Sequence, residues 1–215
     1  MMQFTFKFLF VGLLSSYTLF GQEESILIPK GSFKAEVGLS NSVSNVAFRD
    51  LMQGISNLSV GYQYTLPNSL SMGIGLKHNY FRVNQYKSNL DLLGGSHFNS
   101  VFGKLAYEKY YGQFGLDIGL RAGYNAILSV TNKCQELGEN YVLDNSFYLD
   151  PVVNLALMVD DKSSFYLNLT YSICNFQFSE NLICQDLSVY SEEGLNHMTT
   201  YFVIGFGYSY FFLDK

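Results

Sequence analysis

With 215 residues and a net charge of −5, the chain is long enough for one domain with a substantial interior, and it carries no basic cluster of the kind that nucleic acid requires. Charged residues make up only 14% of it, while 17 Tyr and 19 Phe stand beside 19 Gly and 3 Pro. That composition excludes a disordered chain and suits a β-rich one with aromatic girdles at a membrane interface.

The first 21 residues read as a cleaved signal peptide. Lys7 supplies the positive start, and an apolar run from Phe8 to Phe20 follows, broken only by Gly12, Ser15, Ser16 and Thr18. Cleavage is expected near Gly21 or Gln22. The run is short for a spanning helix, which needs about 20 residues, and the absence of Cys near the cleavage zone argues against a lipoprotein anchor. Residues 22–215 are then one domain, in which no later apolar run reaches helical-span length.

Eight alternating segments follow: Ser32–Ser40, Ser56–Leu66, Leu70–Phe81, Phe98–Tyr110, Phe114–Val130, Ser146–Val159, Ser164–Phe176 and Thr200–Leu213. Most are close to the roughly 9–11 residues with which a tilted strand crosses a bilayer; the fifth is longer and is expected to project beyond it. The eighth shows the pattern most plainly. Phe202, Ile204, Phe206, Tyr208, Tyr210 and Phe212 form one face, and Gly205, Gly207 and Ser209 form the other with Tyr201, Val203 and Phe211 around them. Bulk toward lipid and small polar residues toward a narrow lumen is the alternation of an outer-membrane strand.

The links alternate in length. Pro67-Asn68-Ser69, Tyr111-Gly112-Gln113 and Asp160-Asp161-Lys162-Ser163 are tight-turn compositions. The links over 41–55, 82–97, 131–145 and 177–199 are long. Bacterial barrels keep short turns in the periplasm and long loops outside, and an even strand number returns both termini to the periplasm. The expected fold is therefore an all-β, eight-stranded, antiparallel, up-and-down transmembrane barrel in the cell outer membrane. One residue resists it: Pro151 cannot donate to a strand ladder, so a bulge near Asp150-Pro151 is expected, or a sixth strand that starts only at Val152.

Charge supplies an independent test. With the bulky faces outward, no carboxylate, lysine or arginine falls at mid-strand on the lipid side; Lys109 sits at the periplasmic end, where it can snorkel, and His78 near the outer rim. The inward faces hold Lys34, Glu36, Lys77, Lys104, Glu108, Asp117, Arg121 and Asp150, four basic and four acidic. Eight strands leave room only for side chains, and unpaired buried charges are very costly. A paired network plugging the lumen is expected; a proton path, or a catalytic pair of Glu108 and Asp117, is the competing reading.

Cys134, Cys174 and Cys184 all fall toward the extracellular end, in an oxidising compartment where a disulfide can form. Cys134–Cys184 would tie two loops and Cys174–Cys184 would close a local one; sequence does not choose. His78, His97 and His197 have no ligand spacing with the cysteines, so neither metal nor other cofactor is expected.

The Tyr/Phe-rich strands and the leader ending in Phe20-Gly21-Gln22 resemble the small outer-membrane β-barrel proteins of Gram-negative bacteria (the OmpX, OmpA-barrel and PorT-like families), most closely those of Bacteroidetes. The resemblance covers about residues 22–215 and rests on pattern rather than on an invariant motif. In that family the last strand ends in an aromatic residue read by the insertion machinery; here Phe211-Phe212 is followed by Leu213-Asp214-Lys215. The resemblance implies a non-enzymatic protein with a structural, adhesive or secretion-accessory role. Some barrels of this size modify lipid A through a His-x-Ser pair, and only His197 with Thr199 faintly echoes that pair here. A soluble lipocalin-like carrier is a third reading; it would require the aromatic face to line a cavity. Expected partners are outer-membrane lipid, lipopolysaccharide and another envelope protein, met through the loops. In those loops Glu136, Glu139, Asp144, Glu180, Asp186, Glu192 and Glu193 are expected to be solvated or to bridge cations to phosphates, and Arg82, Lys87 and His97 to contact lipopolysaccharide.

Overall fold

The computed structural model describes residues 31–86, 91–195 and 198–212. The leader, Lys87, His197 and Leu213–Lys215 lie outside the described residues. Eight strands appear among those described: β1 (Gly31–Ser44), β2 (Met52–Thr65), β3 (Leu70–Val83), β4 (Gly94–Tyr111), β5 (Phe114–Thr131), β6 (Val142–Asp160), β7 (Ser163–Cys174) and β8 (Thr199–Phe212). Each pairs antiparallel with the next, and β1 pairs with β8, so the sheet closes into an up-and-down barrel.

Closure removes the edges that an open sheet would expose, and the two-residue period decides which side of the wall each residue takes. Phe33, Val37, Leu58, Ile74, Leu105, Ile118, Leu155 and Phe206 are exposed on the outside. Their sequence neighbours Lys34, Glu36, Ser59, Lys104, Asp117 and Asn154 are buried inside. This inverts a soluble barrel and overturns the lipocalin-like alternative, since the bulky faces line no interior cavity. Among the described residues, the outward strand positions carry Arg82 at one end and Lys109 at the other, and the exposed Asp160 carboxylate stands only at the turn where β6 ends.

Strand bounds differ from expectation mainly at the loop end. β4, β5 and β6 run 18, 18 and 19 residues, against 12 to 14 for the others. The extra length is ladder continued past the expected ends, as in Gly94↔Thr131 and Ser129↔Val142. β7 instead stops at Cys174, short of Phe176.

Pro151 is accommodated differently from expectation. β6 begins at Val142, well before Val152, and Pro151 pairs in register with Leu120 of β5. Toward β7 the ladder runs from Leu149↔Ile173 to Val152↔Thr170 without changing register. Two positions of pairing lapse and no bulge forms. A proline removes a donor on one side only, so the loss stays on the β7 side. Shifts of register occur elsewhere, at Ser42/Ser44, Gly54/Ser56 and Met158/Asp160.

The short turns are locally specified. Ser69 has φ 67° and Gly112 has φ 58°, and the Asp160 carboxylate accepts from the Lys162 amide at 2.7 Å. Among the described residues, three of the four long links carry helices at the loop end. α1 (Val46–Leu51), α2 (Asn132–Glu136), α3 (Glu180–Ile183) and α4 (Glu192–Leu195) fold over that end of the barrel.

Candidate functional site

The interior is stacked in layers from the turn end to the loop end. Tyr110, Ala156, Tyr166 and Phe211 close the turn end, with the Tyr110 and Phe211 rings 5.7 Å apart edge to face. Above them Glu108 accepts from four donors: Lys34 at 2.7 Å, Gln63 and Thr65 at 2.8 Å, and Tyr110 at 3.1 Å. Asp117 accepts on Oδ2 from Lys34 and Lys104 at 2.6 Å each, and from Asn154 at 3.3 Å. Lys104 also donates to Gln63 Oε1 at 2.8 Å. These residues come from β1, β2, β4, β5 and β6, so the network spans the lumen rather than running along its wall.

Higher still, Arg121 grips Glu36 with both terminal nitrogens, at 2.8 and 2.5 Å, while Tyr166 donates to the same carboxylate at 3.1 Å. A planar fork against a carboxylate is the geometry in which arginine binds best. Lys77 and Asp150 form the next pair at 2.5 Å. The Lys77 ammonium lies 4.1 Å from the Tyr148 ring centre and 5.6 Å from that of Tyr201, so aromatic faces complete its shell. All eight lumen charges are buried, and the structure places each in an ion pair with another of the set. Inward glycines make room for the rings beside these charges: a Cβ at Gly75 would lie 2.4 Å from the Phe102 ring, and one at Gly207 2.1 Å from that of Tyr166.

This arrangement has little scope for chemistry. Glu108 and Asp117 are held by cations and amide or hydroxyl donors, and the cavity bordered by Lys34, Glu36, Lys104 and Arg121 measures about 20 Å³. That is room for about one water. Asp117 Oδ1 and Arg121 Nε have no protein partner.

The loop end is sealed by an apolar cap that sequence reasoning missed. Phe48 of α1 packs on Phe81 at 4.9 Å and Phe178 at 5.4 Å, and Phe81 packs on Phe98 at 5.1 Å. Leu51, Leu92, Ile127, Leu182, Ile183 and Leu187 are buried with them. Two capping residues tie the loops together. Asn45 accepts from the Phe48 amide at 3.1 Å and donates to the Leu195 carbonyl at 2.9 Å. Thr131 accepts from the Cys134 amide at 3.3 Å and donates to the Ile183 carbonyl at 2.9 Å. The sequence signal was present: Asn45 followed by Val46-Ala47-Phe48, and the pair Leu182-Ile183, are too apolar for solvated loops. A capping residue directly ahead of such an apolar run is the helix-start signature that marks it.

Of the three cysteines, Cys134 and Cys184 are joined, linking α2 to the residue that ends α3, while Cys174 is buried in the lumen beside Asn125. His78 and His97 face outward at the rim of β3 and β4; His78 contacts Asn99 at 2.9 Å, and His97 stacks on Tyr80 at 4.6 Å. Among the described residues no group of three His, Cys, Asp or Glu is arranged to hold a metal. The loop carboxylates make local contacts: Glu136 with Lys133 at 3.0 Å, Glu180 with the Leu187 amide at 2.8 Å, and Asp186 with the Ser188 amide at 2.8 Å. That last bond holds the Asp186 carboxyl below its ordinary value. Arg82 is exposed.

No family model matches the chain, and no curated protein matches it. Solved structures do. Neisserial surface protein A (NspA) superposes with a TM-score of 0.55 at 10% identity, covering 85% of this chain and 97% of that one. The outer membrane protein OprG from Pseudomonas aeruginosa gives 0.50 at 13% identity, over 89% and 100%. At such identities the likeness is one of fold.

Proposed function

We propose that the chain is an integral barrel of a Gram-negative outer membrane, non-enzymatic, with a plugged polar lumen and a working surface on its loop cap. The observation that carries this reading is the inverted polarity of the wall: large apolar side chains outside, eight paired charges inside. A continuous apolar exterior is unstable in water and stable in hydrocarbon. From Phe114 to Tyr124, ten residues of tilted β5 rise about 25 Å, the height of the apolar band of such barrels. Aromatic residues stand at both levels, with Tyr62, Tyr107 and Tyr208 low and Tyr80, Tyr124 and Phe147 high.

In this reading the leader of residues 1–21 delivers the chain to the periplasm, the short turns and both termini stay there, and the helical cap faces outward. The cap then acts as a structural or adhesive surface toward lipopolysaccharide or another envelope protein, or as a docking point for a secretion complex. The test is outer-membrane fractionation with carbonate washing, followed by electrophoresis of unboiled and boiled samples. Retention in the membrane and a mobility change only on boiling are expected; a soluble protein without such a change refutes the reading. Planar-bilayer recording is expected to give no steady open-channel current, and a stable conductance would refute the plug.

A further inference from the structure

The outer wall is not evenly bulky. Two contiguous hollows, of about 480 and 590 Å³, run along the outside of β3, β4 and β5 and share Met72, Leu105 and Leu120 in their linings. The lower begins at Leu70 and Tyr107, beside the turn end; the upper reaches Ile74, Gly103 and Ala122. The cause is local. Gly103 of β4 stands between Ile74 on β3 and Ala122 on β5 in one row of the sheet, and a Cβ added to Gly103 would meet nothing within 4 Å. The outward positions around Gly103 and Ala122 carry Val, Leu, Ile, Met or Tyr, so the missing bulk at these two leaves a furrow. It starts at the polar boundary and runs toward the middle of the apolar band.

Below the lower hollow, which Tyr107 lines, Lys109 stands two residues farther toward the turn end on the same face of β4, with its ammonium 4.8 Å from the Tyr111 ring centre. Among the described residues it is the only cation on an outward strand position at this end. We infer that the furrow seats one acyl chain of an anionic phospholipid from the periplasmic leaflet, whose phosphate is met by Lys109. The inference rests on the proposed membrane location. A second copy fits this site poorly: a two-fold axis would bring furrow against furrow and one Lys109 toward the other, leaving a void and a like-charge contact. A flexible chain fills a concave apolar track, and its headgroup supplies the opposite charge.

The test uses the full chain in nanodiscs of phosphatidylethanolamine containing a minor share of phosphatidylglycerol, with native mass spectrometry counting the retained lipid. Insertion and heat-modifiability are checked first; failure there overturns the membrane reading before any lipid is counted. The wild type is expected to retain one phosphatidylglycerol. Gly103→Phe, which the open space tolerates, is expected to reduce retention about tenfold or more, and Lys109→Gln to abolish the preference for phosphatidylglycerol over phosphatidylethanolamine. Val37→Phe, on the opposite flank, is expected to retain lipid as the wild type does. Equal retention by Gly103→Phe and wild type overturns the inference, as does a dimer that Gly103→Phe disrupts.

Discussion

Replacing Ile74 by arginine separates a lipid-facing wall from a water-facing one. Ile74 lies on the outside of β3 with 70% of its surface exposed, and its ladder neighbours are Tyr62 and Gly103. Four residues of tilted strand place it about 10 Å above Leu70, close to the middle of a band about 25 Å tall. Arginine at such a midplane costs about 2–4 kcal/mol, against about 0–1 kcal/mol near an interface. At 1.4 kcal/mol per decade the folding equilibrium of Ile74→Arg falls about 30- to 700-fold, while that of Leu70→Arg changes severalfold at most. Denaturant unfolding of both variants in phospholipid vesicles, compared at equal transition slope, measures the difference. If the wall faced water, both substitutions would lie within about 0.5 kcal/mol of the wild type. Equal stabilities for the two variants would falsify the orientation.

Breaking one member of a buried pair leaves a bare charge. Lys77→Met is expected to cost about 3–5 kcal/mol, and Lys77→Met with Asp150→Leu to recover most of it, as read by the same unfolding titration; additive losses would sink the pairing argument. Phe48→Ala opens a gap among Phe81, Phe98 and Phe178 and is expected to weaken the cap by about 3–5 kcal/mol. External protease should then cut the loops while the barrel stays heat-modifiable, and unchanged loop resistance would show that the cap does not depend on Phe48. Peptide mapping without reductant should recover Cys134 joined to Cys184 and Cys174 as a free thiol. The bond spans 50 residues, so Cys134→Ser with Cys184→Ser should cost about 2–4 kcal/mol. Three free thiols in the native protein would refute the link.

Strand faces, strand count and the alternation of short and long links were legible in the sequence, because a two-residue period is local: Lys34 and Glu36 point inward whatever else the chain does. The small residues Gly205, Gly207 and Ser209 likewise marked the crowded side. Partner choice was not legible. Lys34 meets Glu108 and Asp117 across 74 and 83 residues, and Arg121 meets Glu36 across 85. Only the closed register, with its tilt, decides which inward side chains share a level. The same holds for the cap. Phe48, Phe98 and Phe178 lie in separate parts of the chain, and each reads alone as a loop or strand-end residue until closure brings them together over the mouth. Pro151 shows the limit from the other side: its missing donor predicted a local defect, but the continuous ladder to β5 held the register and confined the loss to one neighbour. Local alternation thus set inside and outside, while pairing within each side was decided by tertiary closure, because contact energies depend on distances that sequence spacing alone does not define.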